Sequence, residues 1–155
     1  ILRCLVGSEM CIRDSLTICP GNRVNYSDVT AWFCQMRDEY KIDCIKVGYD
    51  RALAGYWVDE MKSNGFDMEA VAQGPYTWSQ PMREMGAALE GKQVNYNGNP
   101  MLVWCLTNTG VKKSGLNNIQ PVKITEKRRI DGMVSLLNAW TIYVKYYEDF
   151  MYNVG

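Results

Sequence analysis

Two acidic residues stand at positions where carboxylates often do chemistry. Asp50 ends an apolar stretch with the composition of a β-strand, and Asp131 opens the most regular apolar helix pattern in the chain. In open α/β sheets, ligands bind at the carboxyl ends of the strands, and sites made only of carboxylates suit Mg²⁺ or Mn²⁺. Two such ions would activate a water and stabilise the leaving oxygen in phosphodiester hydrolysis. Two carboxylates are too few to hold two ions, so a third acid is expected.

Each of these acids also has a purely structural interpretation. Asp50 can cap the turn or helix that follows it. Asp131 can be a helix-start acid, which the helix dipole favours by about 0.5 kcal/mol. Position alone favours the structural role for both residues. The functional hypothesis rests on the combination of the two acids with a neighbouring run of cations.

Basic residues outnumber acids in the stretch that leads to Asp131. They are Lys112, Lys113, Lys123, Lys127, Arg128 and Arg129. Most charge runs of this kind are a solvated face. The functional interpretation is contact with the DNA backbone, which is salt-sensitive and has no sequence preference. The formal net charge of the chain is zero, so any nucleic-acid surface must be a local patch.

The composition narrows the remaining chemistry. With 155 residues, 47% of them hydrophobic and 22% charged, the chain is long enough for one soluble globular domain with a core. It has six cysteines, none in a C-x-x-C pair, and no histidine. This pattern argues against zinc and excludes the usual Cys-His and Ser-His catalysis. Isolated cysteines at apolar positions indicate buried thiols in a reducing compartment. No apolar run approaches the ~20 residues of a membrane helix, so no membrane partner is expected.

Strands and helices alternate along the chain, which predicts a layered α/β domain. The predicted strands cover residues 16–19, 44–49, 68–72 and 94–96, and a hairpin covers residues 110–124. The predicted helices run from about 25 to 40, 53 to 63, 79 to 91, 99 to 108 and 129 to 150. Residues 1–15 do not fit this pattern. Residues 4–15 (CLVGSEMCIRDS) resemble a translated sequencing adapter; the alternative is a genuine but irregular N-terminal strand.

Five short stretches recur in the order found in one protein family. They are residues 17–22 (TICPGN), 47–51 (VGYDR), 80–85 (QPMREM), 98–104 (GNPMLVW) and 127–132 (KRRIDG). Each is weak alone, but together they make residues 16–152 resemble the C-terminal nuclease domain of the large terminase subunit of tailed phages. We therefore expect residues 1–15 to be a non-native segment and residues 16–155 to be the C-terminal portion of a terminase-like nuclease domain.

The resemblance implies a ribonuclease H-like layered α/β fold and an endonuclease that cuts concatemeric viral DNA with two divalent ions, Mg²⁺ or Mn²⁺. It implies Asp50 as the second metal-binding acid and Asp131 as the last. The family's first acid lies on the first strand of its sheet and has no counterpart in this chain. The fold is therefore expected to be incomplete, with the first strands of the sheet missing. The implied partners are double-stranded DNA, the packaging ATPase domain, the small terminase subunit and the portal protein, in the host cell cytoplasm.

A missing first strand would leave backbone donors of its neighbours unpaired. We therefore expect the fragment by itself to be unstable and inactive, although its parent is a nuclease. The chain has no phosphate-binding G-x-x-x-x-G-K-[ST] loop, so the packaging ATPase would belong to another part of the parent. Two alternatives remain: another ribonuclease H-like nuclease, such as a resolvase or integrase, and a non-catalytic DNA-docking structural fragment. An acid upstream on the missing strand would discriminate between them.

Overall fold

The computed structural model describes residue 19, residues 24–52 and residues 55–154. The expected non-native segment at residues 1–15 lies outside the described residues. The predicted strand at 16–19 and the family-like stretch at 17–22 do as well, apart from Cys19. The chain divides into two compact units, which are described separately. The parallel-strand unit comprises the described residues of Ile18–Ala72 and Thr141–Gly155, and the described part of the hairpin unit is Gln73–Trp140.

The parallel-strand unit contains a strand–helix–strand motif preceded by a helix. Its elements are α1 (Tyr26–Asp38), β1 (Val47–Asp50), α2 (Gly55–Ser63) and β2 (Met68–Val71). The strands are parallel, with Val47 opposite Met68 and Asp50 opposite Val71. Parallel strands need a crossover connection, and α2 provides it. The predicted strands and helices of this region are confirmed, and Asn25 caps α1 by accepting a hydrogen bond from the backbone N–H of Ser27.

An apolar cluster holds this unit together. Its buried members are Val47, Val58, Met61, Phe66 and Met68. The ring of Phe33 on α1 meets Phe66 edge to face at 5.6 Å between centroids, an arrangement that aromatic pairs favour. The guanidinium of Arg37 lies 5.0 Å from the centre of the same ring and donates to the carbonyl oxygen of Asn64 at 2.6 Å. Arg37 therefore satisfies a carbonyl at the end of α2 while it covers the core.

The chain returns to this unit through its last helices, α5 (Asp131–Lys145) and α6 (Tyr147–Val154). The sequence predicted one helix to residue 150, and this prediction is wrong because the helix breaks at Tyr146. The Nζ atom of Lys46 lies 4.3 Å from the centre of the Tyr146 ring, and that lysine also forms an ion pair with Asp67 at 2.5 Å. Lys46 reaches Tyr146 from a distant part of the chain, so no local pattern could indicate this contact.

A second ion pair lies beside this break. Lys145 donates to a carboxylate oxygen of Glu69 on β2. The hydrogen bond from Lys145 lowers the pKa of Glu69 below its ordinary value, and the pKa of Lys145 is raised by the same bond. The side chain of Lys145 is 55% exposed and that of Glu69 is 27% exposed, and ion pairs at the surface contribute only about 0–1 kcal/mol. The pair therefore fixes where the end of α5 lies more than it stabilises the fold.

The hairpin unit contains two helices, an antiparallel hairpin and the start of α5. Its other elements are α3 (Pro75–Glu90), α4 (Pro100–Thr107), β3 (Thr109–Ser114) and β4 (Asn118–Lys123). Gly110 lies opposite Val122 and Ser114 opposite Asn118, so the predicted hairpin is confirmed. Gly115 has φ = 60°, a backbone conformation that glycine adopts without strain, and it opens the turn. Helix α3 packs against β4.

Two local predictions in this unit are wrong. Helix α3 begins at Pro75 rather than at Ser79. A proline in the first turn loses no hydrogen bond, so Pro75 is compatible with the helix start. Pro81, expected in the first turn, therefore lies inside the helix and is buried. The strand predicted at 94–96 is irregular backbone. Nearby residues 92, 97 and 98 have φ of 54°, 51° and 60°, and such left-handed positions interrupt an extended strand.

Helices α4 and α5 approach closely at a glycine. A Cβ atom on Gly132 would lie 3.0 Å from Sγ and 3.4 Å from Cβ of Cys105. Cys105 is buried, as is Met133, the residue after the glycine. Buried side chains have little freedom to yield, since protein interiors are close-packed. Any larger residue at position 132 would therefore force Cys105 to move by a few tenths of an ångström.

We expect Gly132→Ala to lower the free energy of unfolding by about 1–3 kcal/mol, because overpacking forces neighbouring atoms from their positions. Urea denaturation of the full-length protein, followed by circular dichroism, measures the change. Gly86→Ala is the matched control, because Gly86 lies inside α3 and a methyl group added there would have nothing within 4 Å. This substitution is expected to raise the free energy of unfolding by roughly 0.5–1 kcal/mol through helix propensity. Adding Cys105→Ala to Gly132→Ala is expected to recover most of the loss, and no recovery would contradict the steric explanation.

Candidate functional site

Asp50 lies half-buried at the carboxyl end of β1, beside Val71 of the parallel neighbour. Its Oδ1 accepts a hydrogen bond from the backbone N–H of Ala52 at 3.0 Å. A bond from a residue to the amide two positions later is an Asx turn, so the structural interpretation of Asp50 is confirmed. The turn uses one of two carboxylate oxygens. The second oxygen still has lone pairs for a cation, so the turn does not exclude the functional interpretation.

Asp131 is the first residue of α5, and its side chain is exposed. The preceding residue, Ile130, is buried, and its carbonyl accepts a hydrogen bond from Val134 at 3.0 Å. Ile130 therefore anchors the start of the helix, while the carboxylate of Asp131 stays at the surface. An acid in the first helical turn is favoured by about 0.3–1 kcal/mol. This structural role leaves both oxygens accessible.

The two acids belong to different units, Asp50 to the parallel-strand unit and Asp131 to the hairpin unit. Within the described ranges, no group of three His, Cys, Asp or Glu side chains is arranged to hold a metal ion. A site for two divalent ions needs more ligands than two carboxylates supply. The described residues alone therefore do not complete such a site, and the third acid stays a prediction.

The six basic residues form what we term the basic surface, and all lie in the hairpin unit with exposed side chains. Lys112 and Lys113 are on β3, Lys123 ends β4, and residues 127–129 lie between β4 and α5. The stretch from residue 109 to residue 131 contains these six cations and two acids, Glu126 and Asp131. None of the six forms an ion pair with another residue of the described ranges. Their charge is therefore free to attract an anionic partner.

A buried amide holds the segment that carries residues 127–129. Asn108 is 4% exposed. Its Nδ2 donates to the carbonyl oxygen of Arg129 at 3.2 Å, and its backbone carbonyl accepts from the N–H of Ile124 at 3.0 Å. The segment is also bridged internally, since the N–H of Arg128 donates to Thr125 at 3.0 Å. The link from Asn108 to Arg129, 21 positions away, has no signal in the sequence, where an asparagine at the end of a helix indicates only a turn or cap.

The turn of the hairpin is fastened to α3. Nη1 of Arg83 donates to Oγ of Ser79 at 2.9 Å, and Nη2 donates to the carbonyl oxygen of Asn117 in the turn. The same Oγ accepts from the N–H of Ile119 at 3.2 Å. We call this set of bonds the turn clamp. The sequence predicts Ser79 as a helix cap; it is instead a buried residue of the clamp, and only its four-residue spacing from Arg83 hints at the pairing.

The remaining family-like stretches also have identifiable structural roles. Asn99 is 1% exposed and caps α4, because its Oδ1 accepts from the N–H groups of Met101 and Leu102, each at 3.0 Å. Pro100 follows at the first helical position, where it costs no hydrogen bond. The stretches at 80–85 and 98–104 therefore shape the hairpin unit. The stretches at 47–51 and 127–132 carry the two acids and three of the cations.

The protein-family comparison matches residues 18–146 to the model described as "Terminase large subunit, endonuclease domain". Among curated proteins, Protein YmfN of Escherichia coli strain K12 is 35% identical over 71 residues, which is 44% of this chain and 16% of that protein. Of the helices in the described ranges, none is both long and apolar enough to cross a membrane.

Among solved structures, the crystal structure of the HK97 bacteriophage large terminase matches with a TM-score of 0.73 and 22% sequence identity. The match covers 86% of this chain and 28% of the terminase. The chain thus spans a minor part of both relatives. The structural match confirms the expected ribonuclease H-like α/β fold.

Proposed function

Because this chain belongs to the family of terminase large-subunit endonuclease domains, we propose that it forms part of the nuclease that cuts concatemeric viral DNA when a tailed phage packages its genome. One observation carries the proposal: the family match over residues 18–146 contains Asp50, Asp131 and the whole basic surface. The acids and cations that the sequence singled out are thus inside the matched region.

The proposed cofactor is a pair of Mg²⁺ or Mn²⁺ ions, for which Asp50 and Asp131 each supply carboxylate oxygen. Hard divalent cations prefer such ligands. The Asx turn at Asp50 orients its carboxylate by holding one oxygen on the N–H of Ala52, and the exposed Asp131 presents its carboxylate from the first turn of α5. At least one further acid has to join them, since the described residues hold no complete ligand group.

The proposed substrate is double-stranded DNA, held through its phosphates by the basic surface. Lysine and arginine contacts to phosphate position a duplex without reading its sequence. In the parent protein, the packaging ATPase domain, the small terminase subunit and the portal protein are the proposed partners, in the cytoplasm of the host cell.

Cleavage of supercoiled plasmid by the full-length protein that carries this chain tests the proposal. We expect nicked and linear products with Mg²⁺ or Mn²⁺, none with EDTA, and recovery when excess metal is added. Ca²⁺ is the control ion, because its longer and more flexible coordination fills oxygen sites without matching Mg²⁺ geometry. Cleavage that persists in EDTA, or no cleavage with any divalent ion, would contradict the proposed function.

A second candidate is a non-catalytic DNA-docking domain, and one observation favours it: the described residues contain no acid cluster able to hold a metal. The same samples separate the two candidates. A docking domain binds DNA in a salt-dependent way and cleaves nothing under any metal. The 155-residue chain assayed by itself is expected to cleave nothing, whereas cleavage by this chain would show that no acid beyond its own is needed.

A further inference from the structure

The tip of the β3–β4 hairpin presents a leucine to solvent. Leu116 has a relative exposure of 102%, the highest among the large hydrophobic residues of the described ranges. Single exposed apolar side chains are ordinary on protein surfaces, so exposure alone indicates nothing. The backbone support and the charge around Leu116 are what distinguish it.

The support is the turn clamp. Arg83 donates to the carbonyl of Asn117, the residue after Leu116, and Ser79 Oγ accepts from the N–H of Ile119. On the other side, Gly115 lets the chain turn with φ = 60°. The tip is therefore held in place before any partner arrives, and a preorganised tip loses less entropy on binding than a flexible one.

The charge comes from the strand that leads to the tip. Lys112 and Lys113 are exposed on β3, opposite Gln120 and Ile119. At about 3.3 Å per strand residue, they lie roughly 10–13 Å along the chain from Leu116. A partner that contacts the tip is therefore within reach of both long lysine side chains. We expect that partner to have an apolar cleft for Leu116 with negative charge beside it.

Duplex DNA has this combination. Its minor groove is roughly 6 Å wide and lined on both sides by phosphates, and several DNA-bending proteins insert leucine or a similar apolar side chain between base pairs from that groove. Only the side chain at the hairpin tip has to enter, and bending toward the major groove opens the minor groove around it. A protein groove or a second copy of the chain would satisfy Leu116 but would leave the lysines without a stated counter-charge.

We propose that Leu116 is a wedge that enters the minor groove of bound DNA, partly unstacks one base step and bends the duplex, while Lys112 and Lys113 hold the flanking phosphates. The inference rests on the proposed DNA binding and adds a specific mode of contact to it. The wedge favours DNA that unstacks easily, such as pyrimidine–purine steps and mismatches.

The test measures DNA bending and the preference for a mismatched duplex separately from binding to a matched duplex. The full-length protein is kept in EDTA so that no DNA is cut, and is titrated with duplexes of about 30 base pairs that carry a fluorophore pair at their ends. The wild type is expected to bring the ends closer and to bind a duplex with a central mismatch roughly tenfold more tightly than a matched one, since a mismatched step is easier to unstack. Leu116→Ala is expected to lose both effects, and Leu116→Phe to keep them.

Two control variants locate the effect. Val111→Ala removes another exposed apolar side chain of β3, 59% exposed, and is expected to bend DNA as the wild type does. The double variant Lys112→Ala, Lys113→Ala is expected to bind matched and mismatched duplexes more weakly while keeping the ratio between them.

Each contrary outcome has a distinct meaning. Failure of the wild type to bind any duplex overturns the proposed function together with the wedge. Binding without bending, or bending that survives Leu116→Ala, overturns the wedge alone. Equal losses in Val111→Ala and Leu116→Ala also overturn it, because the tip would then have no special role. A change confined to self-association in sedimentation would overturn it too, and would assign Leu116 to a contact between copies instead.

Discussion

Asp50→Asn and Asp131→Asn are each expected to lower the rate of metal-dependent DNA cleavage by the full-length protein by on the order of 10³-fold. Bound divalent ions stabilise transition-state charge by several kcal/mol, and each ~1.36 kcal/mol is a tenfold change in rate. Replacing a carboxylate by an amide keeps the shape of the side chain and removes the charge that holds the ion. Plasmid cleavage at saturating DNA measures the rate.

Two versions of the Asp50 change separate its structural role from its proposed chemical role. Asparagine can still accept the hydrogen bond from Ala52 that closes the Asx turn, whereas alanine cannot. If Asp50 binds metal, Asp50→Asn and Asp50→Ala both lose cleavage and both lose Mn²⁺ affinity in calorimetry. If Asp50 only closes the turn, Asp50→Asn remains active. Asp59→Asn, an exposed acid of α2, is the matched control and should cleave as the wild type does.

Neutralising half of the basic surface is expected to change the salt dependence of DNA binding more than any other surface substitution. The binding constant falls with salt with a slope of about 0.9 per phosphate contact. With six contacts, affinity would fall roughly 2,000-fold between 50 and 200 mM salt, and with three only about 40-fold. The triple variant Lys127→Gln, Arg128→Gln, Arg129→Gln therefore binds more weakly at low salt and responds less to added salt, as fluorescence anisotropy will show.

A second triple variant with the same change in net charge controls for non-specific electrostatics. Lys41, Lys62 and Lys92 are exposed lysines outside the basic surface, and their replacement by glutamine is expected to leave the slope near the wild-type value. Equal losses in the two triple variants would mean that total charge, and not the basic surface, governs binding. The basic residues would then be the solvated face that most charge runs are.

Local patterns were sufficient to predict most elements of the fold. The parallel strands around Val47 and Met68, the hairpin and the caps at Asn25 and Asn99 all follow from residue types within a few positions of each other. The failures have the opposite character. Helix α5 ends at Lys145 although the apolar pattern continues, and Lys46 contacts Tyr146 there from a distant part of the chain. The turn clamp likewise joins Arg83 to Asn117, 34 positions apart.

The candidate site shows the same difference between features set by neighbouring residues and features set by distant ones. The turn at Asp50 depends only on the amide two residues later, so the sequence could predict it. The exposure of Asp131 follows from a short-range alternation, with Ile130 buried and its neighbour at the surface. Which further acid completes a metal site depends on residues distant in sequence, and no local spacing reports it. The five family-like stretches therefore identify the domain better than they identify its full set of ligands.

Asn108 closes the segment from residue 124 to residue 129 into a hydrogen-bonded ring through one backbone and one side-chain atom. Its backbone carbonyl accepts from Ile124 at one end and its side-chain Nδ2 donates to Arg129 at the other, so the backbone that carries the three cations is held at both ends. A backbone already held in place loses less entropy when its three cationic side chains contact the phosphates of a duplex. The residue that holds this backbone, Asn108, is itself uncharged and buried.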